Sequence, residues 1–310
     1  MEVIKSSNFN NLSIGPLVLA VGTFDGIHLG HQAVINKARK IAEKEKLPVG
    51  VYTFNPHPLE ILKPAIAPKN IVSPRQKIEL LSNYNLDYYL EQKFTMDFAE
   101  IDYKTFVNQF LIDKFKVSHL VVGEDFHLGK NGEGNLYNLK KIGSELGFNV
   151  TGLKNVKKDI NRISSTLIRN LIEEGKVDVL LDYLGRYYHL DGKVIRGVGR
   201  GQKMGIPTAN LKLDTDYVLP PEGVYACYVL YDEKKYQGIV NFGNNPTFKG
   251  TGFSIEVHIL DFDYEDIYSE RVSIELIEYI RGEMTFNSPE QLIKQIKKDI
   301  LYTQSLLCYN

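Results

Sequence analysis

The chain has 310 residues, of which 43% are hydrophobic and 24% are charged, with a formal net charge of -1 and a pI near 6.7. This length predicts about two domains, and the composition excludes a small disulfide-stapled module, a disordered tail and a fibre. A near-neutral charge argues against a nucleic-acid binder that relies on a general positive field. Any anionic ligand must therefore be held by local groups.

Cysteine content indicates a reducing compartment, and hydropathy argues against export and membrane insertion. Cys227 and Cys308 are far apart in the sequence and form no metal-spaced pair, which argues against a disulfide framework. The N-terminus lacks a signal-peptide core, and no run approaches the ~18 uncharged apolar residues that a membrane span needs. We expect a cytoplasmic protein without a membrane partner. The sequence allows an oligomer but does not predict one.

The first half of the chain alternates short β-type runs with amphipathic helical stretches at 30–46 and 73–84. Alternating strand and helix predict an α/β fold with a Rossmann-like, mostly parallel, doubly wound sheet. A ligand of such a sheet binds beyond the carboxyl ends of the strands. The predicted strands are 17–22, 49–54, 86–90, 119–123 and 148–153.

The pattern changes after about residue 185, where short alternating strands are separated by Gly, Pro and Asp turns. This pattern predicts an antiparallel β-barrel or a sandwich. The predicted domains are 1–185 and 186–310, because the change follows a helical stretch at 165–184. The predicted strands are 194–199, 223–231, 236–243, 253–262 and 272–280.

A final helix is predicted from the Ser-Pro-Glu-Gln start at 288–291. Leu292, Ile296 and Ile300 share one face of this helix. We expect that face to pack on the barrel.

The decapeptide GTFDGIHLGH, residues 22–31, follows the first strand and opens the first helix. Unpaired N–H groups and the dipole at a helix N-terminus attract anions, and glycines allow close approach. His28 and His31 can both turn inward, donate hydrogen bonds to phosphate oxygens and stabilise charge on a transferring phosphorus. The alternative, surface histidines in a glycine-rich turn, is disfavoured by the strand-to-helix context. The predicted nucleotide-binding residues here are Gly22, Thr23, Phe24, Asp25 and Gly30.

A second glycine-rich segment, GVGRGQKMGIPTANL at 197–211, fits neither the Walker A nor the Rossmann spacing. Its backbone amides can surround phosphates; the alternative is a flexible hairpin loop. Thr208 and Asn210 add hard oxygen donors two residues apart on one strand face, which suits Mg²⁺ bridged to nucleotide phosphates. The predicted nucleotide-binding residues are Gly197, Gly199, Arg200, Gly201, Lys203, Gly205 and Pro207.

Residues 22–31 resemble the HxGH signature of the nucleotidylyltransferase superfamily. Three more segments narrow the resemblance to the adenylyltransferase half of bacterial bifunctional riboflavin kinase/FAD synthetases: TFNPHP (53–58), VGEDFHLG (122–129) and ISSTLIR (163–169). His127 and Leu167 stand where many members have Arg, so they are assigned no role. The resemblance implies flavin binding by Phe54, Pro56, Pro58, Asp125 and Phe126, and ATP-phosphate binding by Ser164, Ser165, Thr166 and Arg169.

The residue types in these segments suit those roles. Hydroxyls at a helix start and Arg169 one turn later can bind phosphate, and ordinary helix capping is compatible with that reading. Phe54, Pro56 and Pro58 form a rigid apolar wall suited to an isoalloxazine ring; the alternative is a strand that ends in a Pro-rich turn.

The rest of the chain resembles the riboflavin kinase domain. The resemblance implies that Glu256 is the catalytic carboxylate and that Arg271 and Glu283 bind flavin. Val257 stands where Thr is usual in that family, and Thr285 stands where Lys is common. Neither change removes a group assigned to chemistry. The segments that carry the resemblance are 220–227, 238–248, 254–263, 268–271 and 281–286.

A carboxylate is needed in one half and not in the other. The terminal alcohol of riboflavin is a poor nucleophile, so its phosphorylation calls for a positioned base, and Glu256 is the candidate. FMN already carries an anionic phosphate, so adenylylation requires alignment and charge neutralisation only. The alternative for Glu256 is an outward-facing strand carboxylate in SIEVHIL.

The resemblance implies a two-step enzyme with riboflavin, FMN and ATP as substrates and Mg²⁺ as cofactor. Riboflavin and ATP would give FMN and ADP in the C-terminal domain, and FMN and ATP would give FAD and pyrophosphate in the N-terminal domain. The alternatives are an HxGH enzyme that acts on another substrate and a flavin-binding regulator that has lost catalysis.

Overall fold

The structure is a computed structural model in which the chain forms two compact units. The described residues are 1–12, 14–196, 205–244, 253–263 and 267–308. The first unit comprises residues 1–69 and 74–165, and the second comprises residues 70–73 and 166–310.

The first unit is built on a parallel sheet. Its strands are β1 (Glu2–Lys5), β2 (Leu17–Val21), β3 (Val49–Asn55), β4 (Tyr88–Lys93), β5 (Val117–Gly123) and β8 (Asn149–Leu153). They are ordered β1–β4–β3–β2–β5–β8, and every neighbouring pair is parallel. The short pairs are β6 (His127–Leu128) with β7 (Gly134–Asn135) and β9 (Lys157–Lys158) with β10 (Asn161–Arg162). The doubly wound parallel sheet predicted from the sequence is therefore confirmed.

Helices complete the first unit. The α-helices are α1 (Leu29–Glu45), α2 (Pro58–Leu62), α3 (Pro74–Ser82), α4 (Met96–Ala99), α5 (Tyr103–Phe106) and α6 (Leu136–Leu146). A π-helix covers Val107–Lys114, and 3-10 turns cover Ser6–Asn11, Pro64–Ile66 and Lys130–Gly132.

The strand β2 lies at the centre of this sheet and is buried on both faces. Leu17, Leu19 and Val21 pack into one hydrophobic core, whereas Val18 and Ala20 pack into the other core with residues of α1. Successive strand side chains point to opposite faces, so an uninterrupted apolar run is what a covered parallel strand requires. The strand order reverses at β2, which places the turn after it at a topological switch point.

The sequence pattern missed the edge strand β1. Only Ile4 of this strand is buried, so EVIK lacks the apolar alternation that marks a strand. Parallel pairing with β4, which no local pattern reports, is what defines it.

The second unit contains a closed antiparallel barrel in the order β11–β12–β15–β14–β13–β16. This result selects the barrel from the two predicted alternatives. The strands are β11 (Tyr188–Ile195), β12 (Ala209–Leu213), β13 (Gly223–Tyr231), β14 (Lys234–Asn244), β15 (Phe253–Ile259) and β16 (Arg271–Arg281).

The predicted helical stretch 165–184 is not continuous. It forms α7 (Ser165–Glu173), a 3-10 turn (Asp178–Leu180) and α8 (Leu181–Leu184). Gly175 separates α7 from the later turns with a φ of 75°, a left-handed conformation that ends a helix.

The final helix, α9 (Pro289–Cys308), begins where its start sequence predicts, and its most buried residues lie on the predicted face. Asp299, Thr303 and Leu307 are its buried residues, while the predicted Leu292, Ile296 and Ile300 are half-buried. On that face Asp299 is 2% exposed and accepts hydrogen bonds of 2.8 and 3.0 Å from the Arg281 guanidinium. No helix in the described part of the chain is long and apolar enough to cross a membrane.

Candidate active sites

The turn after β2 is held by side chains from several elements. The Thr53 hydroxyl donates to the Thr23 carbonyl (3.0 Å), the Ser165 hydroxyl to that of Asp25 (2.8 Å), and the Gln32 amide to that of Ile27 (2.9 Å). Phe24, Gly26 and Ile27 have φ values of 48°, 84° and 43°. Positive φ at non-glycine residues costs free energy and persists where the surroundings enforce it. The turn is therefore a strained and externally fixed structure.

The two predicted histidines lie side by side at the start of α1. Their rings are stacked with centroids 3.7 Å apart, and Nδ1 of His28 accepts a hydrogen bond of 3.3 Å from the backbone N–H of His31. An accepting Nδ1 places the proton of neutral His28 on Nε2, which makes Nε2 a donor. A Cβ on Gly30 would lie 2.9 Å from Cε1 of His28, so glycine is needed at this position.

The imidazole of His31 has a buried nitrogen that is available to a ligand. Its Nδ1 is buried and has no hydrogen-bond partner among the described residues. Burial, then the neighbouring His28 and Lys77, lower the pKa of His31 well below its ordinary value of 6.5. A buried ring nitrogen without a partner is a group that a bound ligand can satisfy.

The lowered pKa predicts a pH dependence of stability. As the pH falls below 6.5, His31 becomes protonated in the unfolded chain but stays neutral in the folded chain. The free energy of unfolding therefore decreases. We expect His31→Gln to reduce the loss of stability between pH 7.5 and 5.5. Urea unfolding at the two pH values, followed by hydrogen exchange of peptides from the first unit, measures this loss of stability in both proteins. Equal losses in the two proteins would show that His31 does not titrate in this way.

A cavity of roughly 740 Å³ opens beside these histidines in the first unit. The predicted residues that line it come from the turn after β2, the Pro-rich turn, the loop after β5 and the segment before α7. They are Gly22, Thr23, Phe24, His28, Gly30, His31, Phe54, Pro58, Asp125, Phe126, Ser164 and Ser165. Sequence segments more than 100 residues apart thus meet in one space.

Four predicted residues of this site do not line the cavity. Asp25 is buried in the turn, and Pro56 follows a cis peptide bond, but neither residue lines the cavity. Thr166 and Arg169 belong to the second compact unit, where both lie on α7.

Aromatic residues that the sequence analysis did not select form one wall of the cavity. Phe94, Phe98 and Phe106 join Phe54 there, and the Phe94–Phe98 and Phe54–Phe94 ring centroids are 5.6 and 5.8 Å apart. These rings come from β3, from the residue directly after β4 and from the helices α4 and α5, so no local motif unites them. A wall of phenyl rings favours a flat aromatic ligand.

The loop after β5 carries the predicted Asp125, which forms an ion pair with Arg162. Arg162 also lines the cavity. The sequence analysis did not select Arg162, although it lies directly before the ISSTLIR segment that was selected. The exposed His127 donates from Nδ1 to the Asp125 carbonyl at 2.8 Å. In this chain His127 therefore helps to shape the loop.

The barrel brings three polar residues into one row. The strand register pairs Glu256 of β15 with Asn210 of β12 on one side and with Asn241 of β14 on the other. Directly opposed residues point to the same face of a sheet. Ile255 and Val257 are buried in the barrel, so this row lies on the face opposite the barrel core. Sequence analysis selected two of the three residues and missed Asn241.

The segment before β12 completes this row. The Thr208 hydroxyl donates to Oε2 of Glu256 at 3.3 Å, and His258 holds the preceding Pro207 carbonyl through Nδ1 at 2.7 Å. Asn210 is 7% exposed, and its Oδ1 has no hydrogen-bond partner among the described residues. Two hard oxygens beside a carboxylate, one of them buried and unsatisfied, fit a divalent cation such as Mg²⁺.

The remaining predicted kinase residues are only partly described. Gly205 has a φ of 72°, which favours glycine. Arg271 pairs with Asp214, and Glu283 is exposed next to Gly243, where an added Cβ would collide with Oε1 of Glu283. Gly197, Gly199, Arg200, Gly201 and Lys203 lie outside the described residues.

Comparison with protein-family models finds two matches along the chain. Residues 12–167 match the FAD synthetase family, and residues 184–307 match the riboflavin kinase family. The first match contains the histidine pair and the cavity, and the second contains the Glu256 row.

Curated relatives extend over nearly the whole chain. A bifunctional riboflavin kinase/FMN adenylyltransferase from Listeria monocytogenes is 38% identical over 91% of this chain and 90% of its own length. The protein of that name from Escherichia coli is 36% identical over 97% of this chain and 96% of its own. A solved structure described as a macrolide-efflux protein from Streptococcus pneumoniae has a TM-score of 0.88 and 31% identity, and the match covers 98% of this chain and 99% of that one.

Proposed function

The chain belongs to the family of bifunctional riboflavin kinase/FMN adenylyltransferases, and from this membership we propose the assignment of its two reactions to its two sites. The barrel phosphorylates riboflavin with ATP to give FMN and ADP. The parallel-sheet unit joins FMN to the AMP part of ATP, giving FAD and pyrophosphate. The observation that carries this proposal is the presence, in one chain, of both the Glu256 row and the histidine pair.

The kinase reaction depends on Glu256. A carboxylate next to the terminal hydroxyl of riboflavin accepts its proton as the oxygen attacks the γ-phosphorus of ATP. The hydrogen bond from Thr208 and the paired Asn210 fix where that carboxylate lies. We assign Arg271 and Glu283 to flavin binding, and residues 197–207 to the nucleotide phosphates.

Thr208 and Asn210 are the residues that would hold Mg²⁺. When bound, the ion supplies positive charge to the nucleotide phosphates. The side chains contribute orientation: Thr208 Oγ1 contacts Glu256 and Asn210 is paired with Glu256 in the strand register, so the phosphates and the accepting base would share one row of the barrel.

Removing the buried amide tests this metal assignment. We expect Asn210→Ala to raise the Mg²⁺ concentration that gives half-maximal riboflavin phosphorylation by about tenfold, the effect of losing roughly 1.4 kcal/mol of binding. Conversion of supplied FMN to FAD should keep its Mg²⁺ dependence. Asn241→Ala serves as the control, since it lies on the other side of Glu256. An unchanged Mg²⁺ requirement in Asn210→Ala would refute the assignment.

The adenylylation reaction needs no base. The FMN phosphate attacks the α-phosphorus of ATP, and Nε2 of His28 and the unsatisfied nitrogen of His31 stabilise the charge that develops. Ser164 and Ser165, which line the cavity, are assigned to the ATP phosphates, and the role of Arg169 stays a prediction. The wall of phenylalanines binds the isoalloxazine ring, which aligns the FMN phosphate for attack.

One assay separates this function from the alternatives. The purified chain, given riboflavin, ATP and Mg²⁺, should form FMN first and FAD later, as followed by chromatography of the flavins. An HxGH enzyme with another substrate would leave riboflavin unchanged, and so would a regulator without catalysis. ATP consumption that depends on added riboflavin provides the second readout.

Two further assignments remain proposals. We place the functional boundary between residues 185 and 186, just after α8. We also propose a cytoplasmic location, which rests on the separated cysteines Cys227 and Cys308; both are free thiols in the structure.

A further inference from the structure

Lys77 of α3 reaches the turn that carries the two histidines. Its Nζ donates a hydrogen bond of 2.9 Å to the carbonyl oxygen of Thr23. Nothing in the sequence pattern marks this residue, because a lysine on an amphipathic helix is typically solvated. Lys77 is not among the residues that line the cavity, so it lies behind the turn rather than in the ligand space.

The Thr23 carbonyl is held from two sides. The Thr53 hydroxyl of β3 donates to the same oxygen at 3.0 Å, and Thr53 is fully buried. The next residue is Phe24, whose φ of 48° a bulky side chain adopts only under constraint. Two donors from separate elements supply that constraint, and Lys77 is one of them.

The charges around Lys77 link it to the histidines. Burial of the ammonium lowers the pKa of Lys77, and the carboxylates of Asp25, Glu91 and Glu60 oppose that shift. On the other side, the positive charge of Lys77 adds to burial and to His28 in lowering the pKa of His31. An ammonium that repels protonated imidazole keeps His31 available as a neutral group.

We propose that Lys77 is a positioning residue for adenylylation, acting through the Thr23 carbonyl and the His31 imidazole without touching the substrate. This inference rests on the proposed function of the first unit. The role of Lys77 differs from that of a residue that binds the phosphates of the substrate. Lys77 acts on the shape of the turn and on the protonation state of His31.

The test is Lys77→Met, which keeps the length of the side chain and removes its charge and its donor. For FMN to FAD, we expect kcat to fall by ~10²-fold, because small misplacements of catalytic groups have effects of that size. The KM for ATP should stay within roughly threefold, since the direct contacts with ATP remain. Riboflavin phosphorylation by the same sample should be unchanged. Arg75→Met, two residues earlier on α3 and exposed, is the matched control.

A spectroscopic measurement tests the electrostatic part. In Lys77→Met the NMR titration of the His31 imidazole should move to higher pH, and in Arg75→Met it should not move. His31→Gln identifies the resonance. His28 still faces His31 in the wild type, in Lys77→Met and in Arg75→Met, so the difference between these three proteins isolates Lys77.

Each outcome decides the role. A Lys77→Met chain that matches an active wild type in kcat overturns it, and so does a large rise in the KM for ATP at unchanged kcat. If Lys77→Met does not fold, Thr53→Val removes the other donor to the same carbonyl; a lowered kcat supports the role and an unchanged kcat overturns it. A wild-type chain that makes no FAD from FMN overturns the proposed function, and this role with it.

Discussion

Glu256→Gln is expected to reduce riboflavin phosphorylation by about 10²–10⁴-fold, the usual contribution of a general base. The amide preserves the size of the side chain and the row with Asn210 and Asn241 but cannot accept the ribityl proton. Because the adenylylation site is separate, FMN supplied to the variant should still become FAD. Initial rates of FMN and FAD formation, resolved by chromatography, measure both effects.

The control for Glu256 is Glu275→Gln on β16, which removes a barrel carboxylate that pairs with Lys235. Both reactions should survive this change. A Glu256→Gln chain that phosphorylates riboflavin at the normal rate would show that Glu256 is an ordinary strand carboxylate.

His31→Ala is expected to have the opposite phenotype, in which FMN accumulates and FAD formation falls by about 10²–10³-fold. The substitution removes the ring stacked on His28 and the buried nitrogen that a phosphate oxygen would satisfy. Riboflavin phosphorylation should remain at the wild-type rate. The same chromatographic assay, started from riboflavin and from FMN in parallel, separates the two reactions.

His119→Gln provides the matched control in the first unit. His119 contacts Thr151 and Glu45 and does not line the cavity, so adenylylation should continue when its ring is lost. Equal loss of both activities in His31→Ala would contradict the independence of the two sites.

The sequence predicted those parts of the fold and site that local patterns encode. The apolar run of β2, followed by a Gly-rich turn and a helix, places residues 22–31 at the switch point of the sheet. The alternation in SIEVHIL places Glu256 on the face opposite the buried Ile255 and Val257. In both cases the side-chain period of one element decides which residues share a face.

Other features depend on contacts between distant segments and leave no local signal. Lys77 reaches the first site from α3 and Phe94 from the position directly after β4. Asn241 joins Glu256 only through the strand register. The pairing of Asp299 with Arg281 buries a carboxylate on the apolar face of α9, and the spacing of the apolar residues alone does not indicate that contact. The roles of Arg200 and Lys203 stay predictions.

Mixing the two inactive variants tests the central claim most directly. Glu256→Gln and His31→Ala, combined with riboflavin, ATP and Mg²⁺, should form FAD that neither variant forms alone, because the FMN released by one is the substrate of the other. A mixture that forms no more FAD than its separate components would contradict the division of the two reactions between two sites.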